Sequence, residues 1–177
     1  HPCVRFQLQF DGIFRDANVW INGFYLGNNK SGYVGVNYDV TDFLNYDRNN
    51  VITVRVDATQ YEGWFYEGAG IYRHVWLNSY PNTHIATDGV FAYANISGNK
   101  ATLNVETTVA NEYTAAGNYS INTYLTDRSG VKISAAKETS LALSTNEEKT
   151  IRQIVNVANP TLWSLENPYL YRVVVEL

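Results

Sequence analysis

The stretch Phe10-Asp-Gly-Ile-Phe-Arg-Asp-Ala-Asn-Val-Trp-Ile-Asn-Gly-Phe-Tyr-Leu-Gly27 decides the fold. Two short apolar runs, Val19-Trp-Ile21 and Phe24-Tyr-Leu26, flank Asn22-Gly23. Asn and Gly tolerate the positive φ angles of a type I′ turn, whose twist matches a pair of antiparallel strands. The stretch therefore predicts a hairpin. Upstream, Phe6, Leu8 and Phe10 alternate with polar neighbours, the period of a half-buried strand. Downstream, Ile52, Val54 and Val56 share one face, with Thr53 and Arg55 on the other, after the turn signal Asn49-Asn50. Asp39–Leu44 predicts one helical turn capped by Asp39 or Thr41. A strand over Ile71–Leu77 closes this half.

Tyr80-Pro81-Asn82-Thr83 interrupts the alternation and marks a boundary. Beyond it, strands are predicted over Gly89–Ile96 and Lys100–Val109, joined by Ser97-Gly98-Asn99. Tyr119–Thr126 and Val131–Ala136 flank Asp127-Arg-Ser-Gly130, a hairpin turn with glycine where a positive φ is needed. Glu147–Val157 and Tyr169–Leu177 follow, the latter with Tyr169, Tyr171, Val173, Val175 and Leu177 on one face. No long segment carries apolar residues at helical spacing. Short strands at this spacing predict an antiparallel sandwich.

Composition agrees. The chain has 177 residues, 45% hydrophobic, with 14 tyrosines, seven phenylalanines and four tryptophans. Aromatics at this density suit pleated, half-buried surfaces. The net charge of −4 comes without a basic patch, which argues against a nucleic-acid partner. No apolar run reaches the length that crosses a bilayer, so no membrane partner is expected. Cys3, the single cysteine, cannot form an internal disulfide. His1, His74 and His84 lack metal-ligand spacing, and neither a nucleophile elbow nor a phosphate loop is present, so no metal or other cofactor is expected. With no methionine and a start at His1, the chain reads as a fragment or a processed piece.

A second stretch carries the chemistry: Asp57-Ala-Thr-Gln-Tyr-Glu-Gly-Trp-Phe-Tyr-Glu-Gly-Ala-Gly-Ile-Tyr-Arg-His-Val-Trp-Leu77. Aromatics, carboxylates and glycines crowd a loop between two strand-like runs. Proteins hold sugars with such groups: apolar C–H faces stack on rings, and hydroxyls donate to carboxylates. The same aromatics also suit a loop that simply fills a core, and composition does not choose between the two.

The chain resembles the family 2 glycoside hydrolases, the β-galactosidase group, at three places in family order. Gly63–Leu77 is similar to the end of that family's N-terminal sugar-binding domain. Phe10–Gly27 is similar to its "FDG…VWING…LG" signature. Asn159-Pro-Thr-Leu-Trp-Ser-Leu-Glu-Asn-Pro-Tyr-Leu-Tyr171 resembles the "P-x-L-W-S-x-E-x-P-x-L-Y" signature of the sandwich domain that follows. The resemblance implies an all-β chain: a jelly-roll (galactose-binding-like) sandwich over 1–80, lacking its N-terminal strands, then an immunoglobulin-like sandwich over 84–177, lacking a C-terminal strand.

The resemblance also implies a function. The family's two catalytic carboxyls, roughly 5 Å apart for retention, lie on a downstream barrel, so no catalytic residue is expected here. The expected role is non-catalytic: to support the barrel and shape its pocket for a carbohydrate substrate. The family's jelly roll lends a loop to the rim of the active site, where a polar residue contacts the terminal sugar. Asp57 is the nearest candidate, with Gln60 or Glu62 as substitutes because loop lengths differ. Asp57 equally suits a loop cap through its own backbone. Trp64 is a fourth candidate, although Trp64 and Tyr66 suit packing better than stacking. Arg73 is expected to pair with a carboxylate or a carbonyl. Trp163 and Tyr171 are expected in the core. A free-standing carbohydrate-binding module and a structural or adhesive two-sandwich protein are the alternatives.

Overall fold

The computed structural model describes residues 4–59 and 68–177. It divides into two compact units, His1–Pro81 and Asn82–Leu177. Among the described residues every element is a strand except one 3₁₀ turn at Thr41–Phe43.

The first unit contains β1 (Val4–Phe10), β2 (Ile13–Phe14), β3 (Ala17–Ile21), β4 (Phe24–Asn29), β5 (Val36–Asp39), β6 (Ile52–Val56), β7 (Gly70–Ile71) and β8 (Val75–Pro81). Sheets form in the orders β5-β1-β8 and β4-β3-β6, with a small β2-β7 ladder. The predicted hairpin is β3-β4: Ile21 faces Phe24 across a turn with φ of 50° at Asn22 and 87° at Gly23. Asn22 also ties this turn to its surroundings. Its Nδ2 donates to Phe43 O and to Asn50 Oδ1, each at 2.7 Å, and its Oδ1 accepts from Val51 N–H at 2.9 Å. The period-two alternation of β1 and β3 becomes a core of Leu8, Phe10, Ile13, Ala17, Val19, Ile21 and Val40. Burying such side chains stabilises by about 1.5–3 kcal/mol for each large one.

The predicted helical turn at Asp39–Leu44 is the 3₁₀ turn, but its N-cap is Val40, with no side-chain cap bond, and the two expected caps bond around it instead. Asp39 Oδ1 accepts from Thr41 N–H at 2.9 Å, and Thr41 Oγ1 accepts from Phe6 N–H at 2.8 Å. The single strand expected over Ile71–Leu77 is instead split into β7 and β8.

The second unit contains β9 (Thr83–Ser97), β10 (Lys100–Asn111), β11 (Gly117–Thr126), β12 (Lys132–Ala135), β13 (Thr139–Leu143), β14 (Glu147–Ala158) and β15 (Arg172–Glu176). One sheet runs β14-β10-β9. In the other, β11 pairs with β12, β13 and β15. Strand β9 begins six residues before the predicted Gly89. A register shift between Thr107 and Val109, opposite Asp88 with φ of 55°, lets the strand continue through what the sequence offers as a break. Val109, Ile121, Leu141 and Leu143 form its core. A buried polar clasp joins the sheets: Thr123 Oγ1 donates to Gln153 Oε1 at 2.6 Å, and Gln153 Nε2 reaches Lys137 O at 3.0 Å and Thr139 Oγ1 at 3.1 Å.

One core expectation fails. Trp163 is 55% exposed. Residues 159–171 form no strand, so the segment lies over the sandwich instead of contributing a face to its interior. With Leu103, Leu125 and Tyr171, Trp163 lines an apolar cleft of about 330 Å³. Tyr171 is half-buried, and its hydroxyl accepts from Thr161 N–H at 2.7 Å.

Candidate functional site

The site begins with backbone pairing in the first unit. Strand β2 pairs with β7, setting Ile13 opposite Ile71 and Phe14 opposite Gly70. Beyond the β3-β6 ladder, Asp57 N–H donates to Arg15 O at 3.1 Å. The segment after β1 is thereby held against both ends of the glycine- and aromatic-rich loop. Aromatics brace it. Phe14 meets Tyr33 edge-on at 5.7 Å, and the Tyr72 hydroxyl donates to Gly32 O at 2.8 Å. Gly32 lies so close to the Phe14 ring that a Cβ there would run into it.

This frame brings Arg15, Asp16, Lys30, Asp57 and Thr59 around a polar cleft of about 410 Å³. Asp57 Oδ1 accepts from Thr59 Oγ1 at 2.7 Å and from Thr59 N–H at 3.2 Å. Its Oδ2 lies 3.6 Å from Arg55 Nη2. The Thr59 hydroxyl, then the Thr59 amide and the Arg55 charge, hold the Asp57 carboxyl below its ordinary range, so it is an anion at neutral pH. Asp16 Oδ1 accepts from Asn28 Nδ2 at 2.8 Å. Lys30 has no ion-pair partner among the described residues. The cleft therefore offers carboxylate acceptors and cationic donors together, the complement of a hydroxyl-rich ligand.

Of the four sequence candidates, Asp57 lines this cleft. Gln60, Glu62 and Trp64 lie outside the described residues, as does Tyr66. Sequence reasoning missed Arg15, Asp16 and Lys30, since no local motif marks them. The β3-β6 register, with Ala17 opposite Val56, brings the Arg15-Asp16 corner to Asp57, across some forty residues of sequence. Arg73 and His74 both act electrostatically on Asp11, whose Oδ2 lies 3.8 Å from His74 Nδ1. Among the described residues no group of three or more His, Cys, Asp or Glu side chains is placed to hold a metal ion.

Comparisons with known proteins cover both units. The family model for the sugar-binding domain of glycosyl hydrolases family 2 matches residues 3–81, and the model for glycosyl hydrolases family 2 matches residues 83–177. A β-galactosidase of Bacteroides ovatus, BoGH2A, is 34% identical over 174 residues, which are 97% of this chain and 20% of the relative. A β-glucuronidase of Formosa agariphila is 29% identical, over 94% of this chain and 19% of its own length. Among solved structures, a family 2 β-glucuronidase superposes with a TM-score of 0.93 at 27% identity, over 98% of this chain and 20% of that one. A family 2 member from Bacteroides cellulosilyticus gives 0.92 at 31%, over 98% and 24%. The chain spans about a fifth of the length of the curated relatives it matches. It belongs to glycosyl hydrolases family 2 and forms two accessory domains of that family, the sugar-binding jelly roll and the immunoglobulin-like sandwich that follows it.

Proposed function

We propose that this chain shapes the substrate pocket of a retaining β-glycosidase, of the β-galactosidase type, whose catalytic carboxyls lie on a barrel domain elsewhere in the parent enzyme. The cleft at Asp57 is the observation that carries this reading. It sets an ionised carboxylate at the end of β6. Glycoside cleavage gains from groups that orient the sugar as charge develops, and an acceptor for a ring hydroxyl is such a group. The chain itself supplies no acid/base pair and no nucleophile in this reading.

A β-glucuronidase is the second reading. Arg15 and Lys30 on the same cleft suit a uronate carboxylate, which a neutral galactoside lacks.

Assays of the parent enzyme on nitrophenyl β-galactoside and β-glucuronide test both readings. The first expects the galactoside to turn over faster, with retention; the second expects the reverse order. The 177-residue chain alone should turn over neither. Turnover by the chain that is lost on changing one of its carboxylates would sink the accessory reading.

A further inference from the structure

Strand β1 buries Leu8 and Phe10, so Gln7 and Gln9 project from the opposite face of its sheet. In the β1-β8 register Gln9 faces Trp76 and Gln7 faces Asn78; on the other side Gln9 faces Asn37 of β5. These side chains share one outer surface. Trp76 is 48% exposed on it.

The surface is held in a fixed arrangement. Trp76 Nε1 donates to Asp11 Oδ2 at 2.9 Å. Gln9 Nε2 donates to Asp11 Oδ1 at 2.9 Å, and Asn78 Nδ2 donates to Gln9 Oε1 at 2.9 Å. The His74 ring lies 5.3 Å from the Trp76 ring, tilted by 31°. A carboxylate thus fixes the indole through its N–H, and the amide chain fixes the carboxylate. Among the described residues these bonds leave Asn78 Oδ1, one N–H on each amide and lone pairs on Asp11 for a ligand.

We propose that this face binds a neutral glycan chain, with Trp76 as the stacking platform and Gln9, Asp11 and Asn78 as partners for its hydroxyls. Each hydroxyl is both donor and acceptor, matching a surface that keeps both kinds of capacity. An apolar protein partner would leave the amides and the carboxylate unpaired, at the cost of their desolvation. A polyanion would meet Asp11, on which the nearby Arg73 and His74 already act, and Arg5 on the same face pairs with Asp39 at 2.5 Å. The site is a flat sheet face instead of a pocket, which suits internal units of a chain over its end. The argument uses no residue of the Asp57 cleft and does not depend on the parent's activity.

The test uses the whole 177-residue chain. Cellohexaose, xylohexaose and β-1,4-galactohexaose are titrated separately by calorimetry and by amide and indole NMR. At least one should bind with a Kd of about 1 mM or tighter, shift the Trp76 indole N–H, and be indifferent to about 0.5 M salt, because a neutral ligand is not screened. Trp76→Ala should weaken it at least tenfold, Trp76→Phe less, and Asn78→Ala several-fold. If Trp76→Ala fails to fold, Trp76→Phe and Asn78→Ala decide. The proposal is overturned if none of the three binds, or if binding is unchanged in Trp76→Phe and Asn78→Ala. Binding of dextran sulfate alone, lost in salt, would overturn it as well.

Discussion

Thr59 presents both its hydroxyl, at 2.7 Å, and its backbone N–H, at 3.2 Å, to the same oxygen of Asp57. The carboxylate that lines the cleft is thus also the cap of its own loop. One oxygen is engaged locally, and the other faces Arg55 and the cleft. Structural and functional roles meet in one residue and can be separated by its two nearest substitutions.

Asp57→Asn keeps an acceptor for Thr59 but removes the charge; Asp57→Ala removes both. In the isolated chain, Asn should melt close to the native temperature and Ala below it, as seen by circular dichroism. In the parent enzyme both should lower kcat/KM by about tenfold or more, the rate equivalent of a charge-assisted hydrogen bond lost at the transition state. If kcat/KM per folded molecule stays normal in both, Asp57 is a loop cap only.

Acid should destabilise both units through identifiable carboxylates. Trp76 holds Asp11 below its ordinary range, and Thr59 does the same for Asp57. In the second unit Ser129 and the Val131 amide act on Asp127, and Ser144 acts on Glu147. A lowered folded pKa gives stability that is present above the unfolded value, near 4, and lost as pH falls through the folded one. Urea midpoints should therefore be level from pH 7 to about 5 and fall below about pH 4. Asp127→Asn should flatten that fall in the second unit's transition and leave the first unit's unchanged.

The Thr123–Gln153 clasp should dominate the polar contribution to the second sandwich. Gln153 is 5% exposed and Thr123 is 1% exposed. Gln153→Met fills similar volume but strands the buried Thr123 hydroxyl and removes the donor to the Lys137 carbonyl and the Thr139 hydroxyl. A loss of about 2–3 kcal/mol is expected in urea unfolding. Thr123→Val should cost about 1–2 kcal/mol. The double variant should cost less than the sum, because removing both partners leaves fewer orphaned groups.

The sequence made most strands legible and little of the site. Alternation at Phe6–Phe10 and Val19–Leu26 marked strands because one face is buried and the other is not. Asn22-Gly23 marked its turn because few residue pairs accept two positive φ angles. Thr139–Leu143 went unread: it is short, and its burial comes from β11 and the core around Ile121, which the local pattern does not show. Trp163 misled for a related reason. Aromatic content signals apolar contact but not which side of a sheet supplies it. Among cleft residues only Asp57 carried a local signal. Arg15 and Asp16 reach it through the β3-β6 pairing that sets Ala17 opposite Val56, and Lys30 through the β3-β4 pairing that sets Ala17 opposite Asn29; no motif encodes those pairings.

Two glycines should separate the cleft's architecture from ordinary turn strain. Gly23 has φ of 87° with nothing near its missing Cβ, so Gly23→Ala strains only the backbone, by about 1–2 kcal/mol. Gly32 lacks that positive φ, but its Cβ would press on the Phe14 ring. Phe14 is 5% exposed, packs on Tyr33 and precedes Arg15, so it cannot swing into solvent freely. Overpacking there should cost about 1–3 kcal/mol and move the corner that carries Arg15 and Asp16. Gly23→Ala should therefore lower the melting temperature of the chain without touching the parent's KM. Gly32→Ala should lower the melting temperature and raise KM together. Equal kinetic effects from the two would mean that the Phe14 corner does not set the cleft, and that Arg15 and Asp16 line it without serving it.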